Sequence, residues 1–119
     1  MLTILRRSLR TGSVTTGYPA TPDPAPDAYR GQVLLDTARC VGDGACARVC
    51  PSAAISVFDV LDAPGSWRWE LDDARCVFCG LCQEACPTGA IALSNEYELA
   101  VRAKPDLQTS VTFLKEAGR

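Results

Sequence analysis

Apolar residues are spaced in several different ways along this chain, and each spacing predicts a different element. Leu2, Leu5 and Leu9 stand at helical spacing with Ile4 beside them, so residues 1–17 are expected to carry a basic amphipathic helix. Residues 18–28 follow with four prolines between Pro19 and Pro26. Such a stretch is extended and semi-rigid, with no hydrogen-bonded secondary structure of its own. From residue 29 to residue 94, short apolar runs alternate with turn chemistry. Gln32 to Asp36 and Ala54 to Phe58 read as strands, Asp62-Ala63-Pro64-Gly65-Ser66 as a turn, and Trp67 to Leu71 as an alternating strand. Residues 95–119 form an extension in which Pro105-Asp106 opens a predicted C-terminal helix. Leu107, Val111 and Leu114 lie on its stripe, and Gly118 ends it.

Between the predicted strands lie all seven cysteines. Cys76, Cys79, Cys82 and Cys86, followed by Pro87, fit the C-x₂-C-x₂-C-x₃-C-P run that holds a cubane iron–sulfur cluster. Three thiolates so close in sequence reach one cube only if the backbone loops tightly around it. The fourth is carried past that cube, and in two-cluster proteins it ligates the other one. A partner motif is therefore expected. Cys40, Cys46 and Cys50, followed by Pro51, lie thirty-six residues upstream in the same register. The offset also superposes Leu35 to Cys40 on Leu71 to Cys76, and Cys50 to Ile55 on Cys86 to Ile91. A repeat without insertion implies two equivalent half-domains that pack on one another. The expected fold is α+β: a bacterial two-cluster ferredoxin-like pseudo-twofold repeat, flanked by an N-terminal helix, a proline strap and a C-terminal helix.

With crossover of the fourth ligands, Cys50, Cys76, Cys79 and Cys82 make a complete four-thiolate site for one [4Fe–4S] cluster. The other site has Cys40, Cys46 and Cys86, with Asp43 where the second copy has Cys79. Three readings of Asp43 stand open. It ligates the fourth iron of a [4Fe–4S] cluster through oxygen, a harder donor than thiolate and less suited to cluster iron. Alternatively the vertex is empty and the cluster is [3Fe–4S]. In the third reading Asp43 is only a turn residue between Gly42 and Gly44, and the cluster is lost.

Composition narrows the field. Twelve basic and fourteen acidic residues give a net charge of −2 and no support for nucleic-acid binding. An odd cysteine count in closely spaced runs argues against a disulfide framework. Paired short motifs with no histidine also lack the long spacers of zinc ribbons. The chain offers no nucleophile paired with a base and no phosphate loop, so it carries no catalytic site of its own. Arg6, Arg7 and Arg10 face no acid in the first twenty-two residues, which points the helix at a membrane surface or a partner groove. The Arg6-Arg7 pair is not an export signal, because residues 11–17 form no apolar core region. No run is long enough to span a bilayer.

Segments outside the motifs add a family resemblance. Leu9-Arg10-Thr11-Gly12, Tyr18-Pro19, Tyr29-Arg30-Gly31, Cys76-Val77-Phe78-Cys79-Gly80 and Ser94-Asn95-Glu96-Tyr97-Glu98-Leu99-Ala100-Val101 resemble the ferredoxin-type subunit of formate hydrogenlyase and related group 4 membrane-bound [NiFe] hydrogenases. That subunit is in turn similar to chain I of complex I. The resemblance implies an electron relay between an upstream electron-entry subunit and the hydrogenase small subunit, at the cytoplasmic face of the membrane. It implies further that the Cys50-containing cluster faces the small subunit. Asp43 departs from the family pattern, which has Cys there. A soluble ferredoxin serving several oxidoreductases is the alternative, although a diffusing carrier has no need of the basic helix and strap.

Overall fold

In the computed structural model, which describes residues 2–114, strands pair across the repeat and not within it. Strand β1 (Val33–Leu35) enters the first motif and β2 (Ile55–Asp59) leaves it, while β3 (Ser66–Asp72) enters the second and β4 (Ile91–Leu93) leaves it. β1 runs antiparallel to β4, and β2 runs antiparallel to β3. Adding thirty-six to Val33, Leu34 and Leu35 and subtracting it from Leu93, Ala92 and Ile91 turns the first set of pairs into Trp69↔Val57, Glu70↔Ser56 and Leu71↔Ile55. One-turn helices repeat in the same way: α2 (Ala45–Val49) and α3 (Leu81–Ala85) pack together between the sheets.

The core follows from the pattern. Val33, Ile55, Trp69, Leu71 and Ile91 point inward from the strands, and Cys46 and Cys82 join them from the helices. Trp69 and Leu71 are each 1% exposed, so the second entry strand supplies the largest buried side chains. Fully burying one such apolar side chain contributes roughly 1.5–3 kcal/mol, a small total for a chain this short.

The predicted C-terminal helix does not form. Only Lys104–Leu107 turn, as one 3₁₀ turn with Pro105 at its start, and Gln108–Leu114 is a strand, β5, antiparallel to β3. Gly118, the expected end of that helix, lies outside the described residues. Physics favours the strand for two reasons. Thr109, Val111 and Thr112 are β-branched and Phe113 is aromatic, residues that suit a pleated, half-buried surface. β3 would otherwise expose a row of unpaired backbone groups along its edge, and β5 covers it. Val111 and Phe113 sit opposite Trp69 and Trp67 and are half-buried, with period two.

Before the motifs, α1 (Leu2–Thr11) is shorter than the segment assigned to it and buries none of its residues. The strap is not a free spacer. Tyr97 Oη donates to the Asp23 carbonyl at 2.6 Å, and Tyr18 Oη donates to the Glu98 carboxylate. Rings of Tyr18 and Tyr29 pack on Tyr97 at 6.3 and 6.1 Å. The Glu98 hydrogen bond and nearby charge push the Tyr18 hydroxyl up to about 12. The strap is thus laid against residues 97–98 of its own chain. Among the described residues, no helix is long and apolar enough to cross a membrane.

Candidate functional site

Each motif makes its loop with left-handed residues at equivalent places. Gly42 and Gly44 have φ of 67° and 70° in the first copy, and Phe78 and Gly80 have φ of 50° and 84° in the second. Alternating hands turn successive amides toward one concavity, an arrangement that suits an anionic group. Gly44 and Gly80 then start α2 and α3, whose Cys46 and Cys82 are buried. Cys50 and Cys86 close the helices in extended conformation, as a residue before proline must. Beyond the prolines, Ala53 and Gly89 are left-handed again, with φ of 49° and 60°.

This backbone brings the predicted residues into two groups. Cys50, Cys76, Cys79 and Cys82 line one cavity together with Val33, Ile55 and Phe78. Around the other motif, burial first and then the charges of Cys86 and Asp43 raise the Cys40 thiol, and burial first and then the charges of Cys40 and Asp43 raise that of Cys46. All seven cysteines are free of disulfides. Among the described residues, no three acidic or thiol groups converge as they would on a single metal ion. A cube, in contrast, takes each ligand on a different iron and needs them held apart.

Cys50 and Cys86, the last cysteine of each motif, differ from Cys40, Cys46, Cys76 and Cys82. Burial raises the thiols of Cys40, Cys46 and Cys76, and pushes Cys82 up to about 11. At Cys50 burial also pushes upward, yet the Ser52 hydroxyl and the amides of Ala54, Ser52 and Ile55 outweigh it, and the thiol is lowered. Cys86 repeats this with Thr88, Ala90 and Ile91. Ala54 N–H donates to Cys50 Sγ at 3.3 Å, Ala90 N–H to Cys86 Sγ at 3.2 Å, and Phe78 N–H to Cys76 Sγ at 3.4 Å. N–H groups aimed at sulfur are what an anionic thiolate cluster requires. The residues present fit iron–sulfur clusters.

At Asp43 the two halves part. Its side chain is exposed, and Oδ1 accepts the Ala45 N–H at 3.4 Å, whereas Cys79 is half-buried in the cavity wall. Two arginines that the motif pattern does not flag brace the loops. Arg48 Nη1 donates to the Asp43 carbonyl at 2.7 Å, and Arg30 Nη1 donates to the Cys79 carbonyl. Ser52 and Thr88 were open to discovery, because both follow Cys-Pro in the repeat. The arginines were not, since Arg48 aligns with Glu84 and Arg30 with Ser66. Trp67 packs on Gly42 so closely that an added Cβ would lie 2.7 Å from its ring. Trp69 and Cys46 are both buried in the core.

Known proteins are similar to this chain. Residues 31–90 match the family described as the 4Fe-4S dicluster domain. Formate hydrogenlyase subunit 6 of Escherichia coli (strain K12) is 44% identical over 113 residues, which are 95% of this chain and 62% of that protein. F(420)H(2) dehydrogenase subunit I of Methanosarcina mazei is 40% identical over 52 residues, 44% of this chain and 29% of that one. Among solved structures, a chain of the membrane-bound sulfane sulfur reductase, an archaeal respiratory membrane complex, aligns with a TM-score of 0.66 and 29% identity. That alignment covers 84% of this chain and 53% of the other. The chain therefore spans less than two thirds of the length of these relatives. Matched over half its length, cysteines included, the chain belongs to the 4Fe-4S dicluster domain family.

Proposed function

We propose that this chain is an electron-relay subunit of a membrane-associated, complex I-like [NiFe] hydrogenase. It passes electrons between an upstream electron-entry subunit and the hydrogenase small subunit at the cytoplasmic membrane face. The observation that carries the reading is the extent of the likeness to formate hydrogenlyase subunit 6. It runs over 95% of the chain, including the helix, strap and extension that hold no cysteine. Two equivalent half-domains related by a pseudo-twofold axis account for the shared register of the strand pairs.

In this reading Cys50, Cys76, Cys79 and Cys82 hold a [4Fe–4S] cluster, and Cys40, Cys46 and Cys86 hold the other with Asp43 at its remaining vertex. Such clusters supply one-electron redox capacity. The chain's own residues do the rest. Left-handed loops wrap the donors, amides of Ala54, Phe78 and Ala90 balance the thiolate charge, and Val33, Ile55 and Leu71 keep water out. Asp43 has two forms in this scheme. As a ligand it completes a [4Fe–4S] cluster; left on the Ala45 N–H where it now lies, it leaves a [3Fe–4S] cluster.

The test is an anaerobic pull-down of the tagged chain from solubilised native membranes, with partners identified by mass spectrometry. Recovery of [NiFe] large and small subunits with membrane proteins is the expected result. Recovery of the chain alone from the soluble fraction would sink this reading and leave a diffusible ferredoxin in its place.

A further inference from the structure

Arg30 reaches the second loop from outside the repeat. Its Nη1 donates to the carbonyl of Cys79, 49 residues along the chain. The same guanidinium lies over Gly80, where an added Cβ would be 3.6 Å from its carbon and from Nη1. Two contacts thus set one cation on the peptide that leads from Cys79 into α3. The backbone that carries Arg30 is fixed from both sides. Gly31 N–H donates to the Ser94 carbonyl at 2.8 Å, and Gln32 N–H to the Glu96 carbonyl at 2.9 Å. A Cβ on Gly31 would lie 2.0 Å from the Glu96 carbonyl oxygen, so this pairing admits no side chain. On the other side Tyr29 packs edge-on against Tyr97. A fixed backbone lowers the entropy lost in holding so long a side chain in one geometry.

The first loop makes the same contact from within. Arg48, on α2, donates to the carbonyl of Asp43, the residue equivalent to Cys79. Thirty-six residues beyond Arg48 stands Glu84, a carboxylate. Glu84 and Asp27 line one cavity with Arg30 and Gly80, and Arg30 is the one cation among its lining residues. The repeat therefore supplies no guanidinium to the second loop, and the segment between strap and β1 brings one in.

We propose that Arg30 is a positioning residue for the cluster held by Cys50, Cys76, Cys79 and Cys82: its guanidinium holds the Cys79-Gly80 peptide of that loop, and its charge raises that cluster's reduction potential. Reduction adds one negative charge, which a fixed cation nearby stabilises more than it stabilises the oxidised form. Arg30 is exposed, so water screens the charge and the shift is modest. The strap and the segment after β4 thereby act on a site to which they give no ligand. The inference rests on the proposed ligation by those four cysteines.

The full chain is loaded anaerobically and titrated electrochemically with electron-resonance detection. Iron and sulfide analysis of the unmodified chain comes first. Absence of a four-thiolate cluster overturns the proposed ligation, and this inference with it. The signal of the Asp43 half is identified as the one altered in Asp43→Cys, which leaves the other to the four-thiolate site. Arg30→Gln removes both the charge and the bond to Cys79. Site-specific citrulline at position 30 removes the charge alone and keeps N–H groups of the same reach, so it carries the measurement should Arg30→Gln fail to load. In both, the four-thiolate cluster is expected to shift to a more negative potential while the Asp43 half stays in place. In Arg30→Gln a chelator should also strip iron from that cluster about tenfold faster, the lower end for losing a hydrogen bond to a charged group. Loaded citrulline protein with an unmoved potential at the four-thiolate cluster, or with equal shifts at both clusters, would overturn the role of Arg30 and leave the ligation standing.

Discussion

The two motif loops share a backbone and differ in what they put on it. Their strand pairs match in register, their one-turn helices coincide, and their left-handed residues fall at the same three places. Yet Asp43 stands against Cys79, Gly42 under Trp67 stands against Phe78, and Trp69 stands against Val33. The geometry needed to wrap a cluster is thus separable from the donors that hold and tune it. A half-domain can change its ligand set without changing its fold, provided the loop keeps its hand and its amides. That separability makes the halves each other's internal control.

The sharpest break of the comparison is Asp43→Cys, which gives the first loop the donor set of the second. Thiolate is the softer ligand, so chelators should strip iron from that half more slowly, by on the order of tenfold or more. Where the native cluster is [3Fe–4S], iron also rises by about one per chain. If iron content, electron-resonance spectrum and chelation kinetics all stay unchanged, Asp43 was never at a vertex.

A second substitution asks whether the loops differ in packing as well as in donors. Gly42→Ala puts a side chain at φ 67° and a Cβ 2.7 Å from the Trp67 ring. Left-handed strain and overpacking together should destabilise the loaded chain by about 2–4 kcal/mol. Anaerobic denaturant unfolding reads the loss, and iron should leave the Asp43 half first. Phe78 occupies the same left-handed region in the second loop, at φ 50°, so strain alone is tolerated there. A neutral Gly42→Ala would mean that Trp67 does not close on the loop.

How much of this was legible beforehand divides along the same line. What the repeat and its motifs encode could be read: the strand entering each motif and the one leaving the first, the helical turns before Pro51 and Pro87, and the grouping of Cys50 with Cys76, Cys79 and Cys82 around one cavity. What occurs once could not. Leu107, Val111 and Leu114 imitate a helical stripe, but the open edge of β3 decides their fate, and that edge exists only after the hairpin has formed. Val111-Thr112-Phe113, β-branched and aromatic with period two, was the local signal for a strand. Tyr18 and Tyr29 could not reveal from spacing alone that they meet Tyr97, since that contact depends on how the strap folds back. Arg30 and Arg48 brace equivalent carbonyls from unrelated positions, so no offset exposes them.

The smallest expected effect concerns the third left-handed pair, Ala53 and Gly89. Ala53 holds φ 49° on the surface, although a Cβ disfavours that region by roughly 1–2 kcal/mol. Ala53→Gly relieves the strain but gives the unfolded chain more freedom to lose, about 0.5–1 kcal/mol against it. The net expectation is a gain of about 0.5–1 kcal/mol by denaturant unfolding of the loaded chain. Gly89→Ala should move the other way and further. A Cβ there lies 3.0 Å from Arg39 Nη2, which donates to the Thr88 carbonyl at 2.7 Å. Arginine is flexible enough to step aside, so the added loss is that one hydrogen bond, about 1 kcal/mol. Opposite signs at the two positions would confirm that the halves share a conformation and differ only in how it is filled. A destabilised Ala53→Gly would instead mean that the Ala53 methyl makes contacts worth more than its strain.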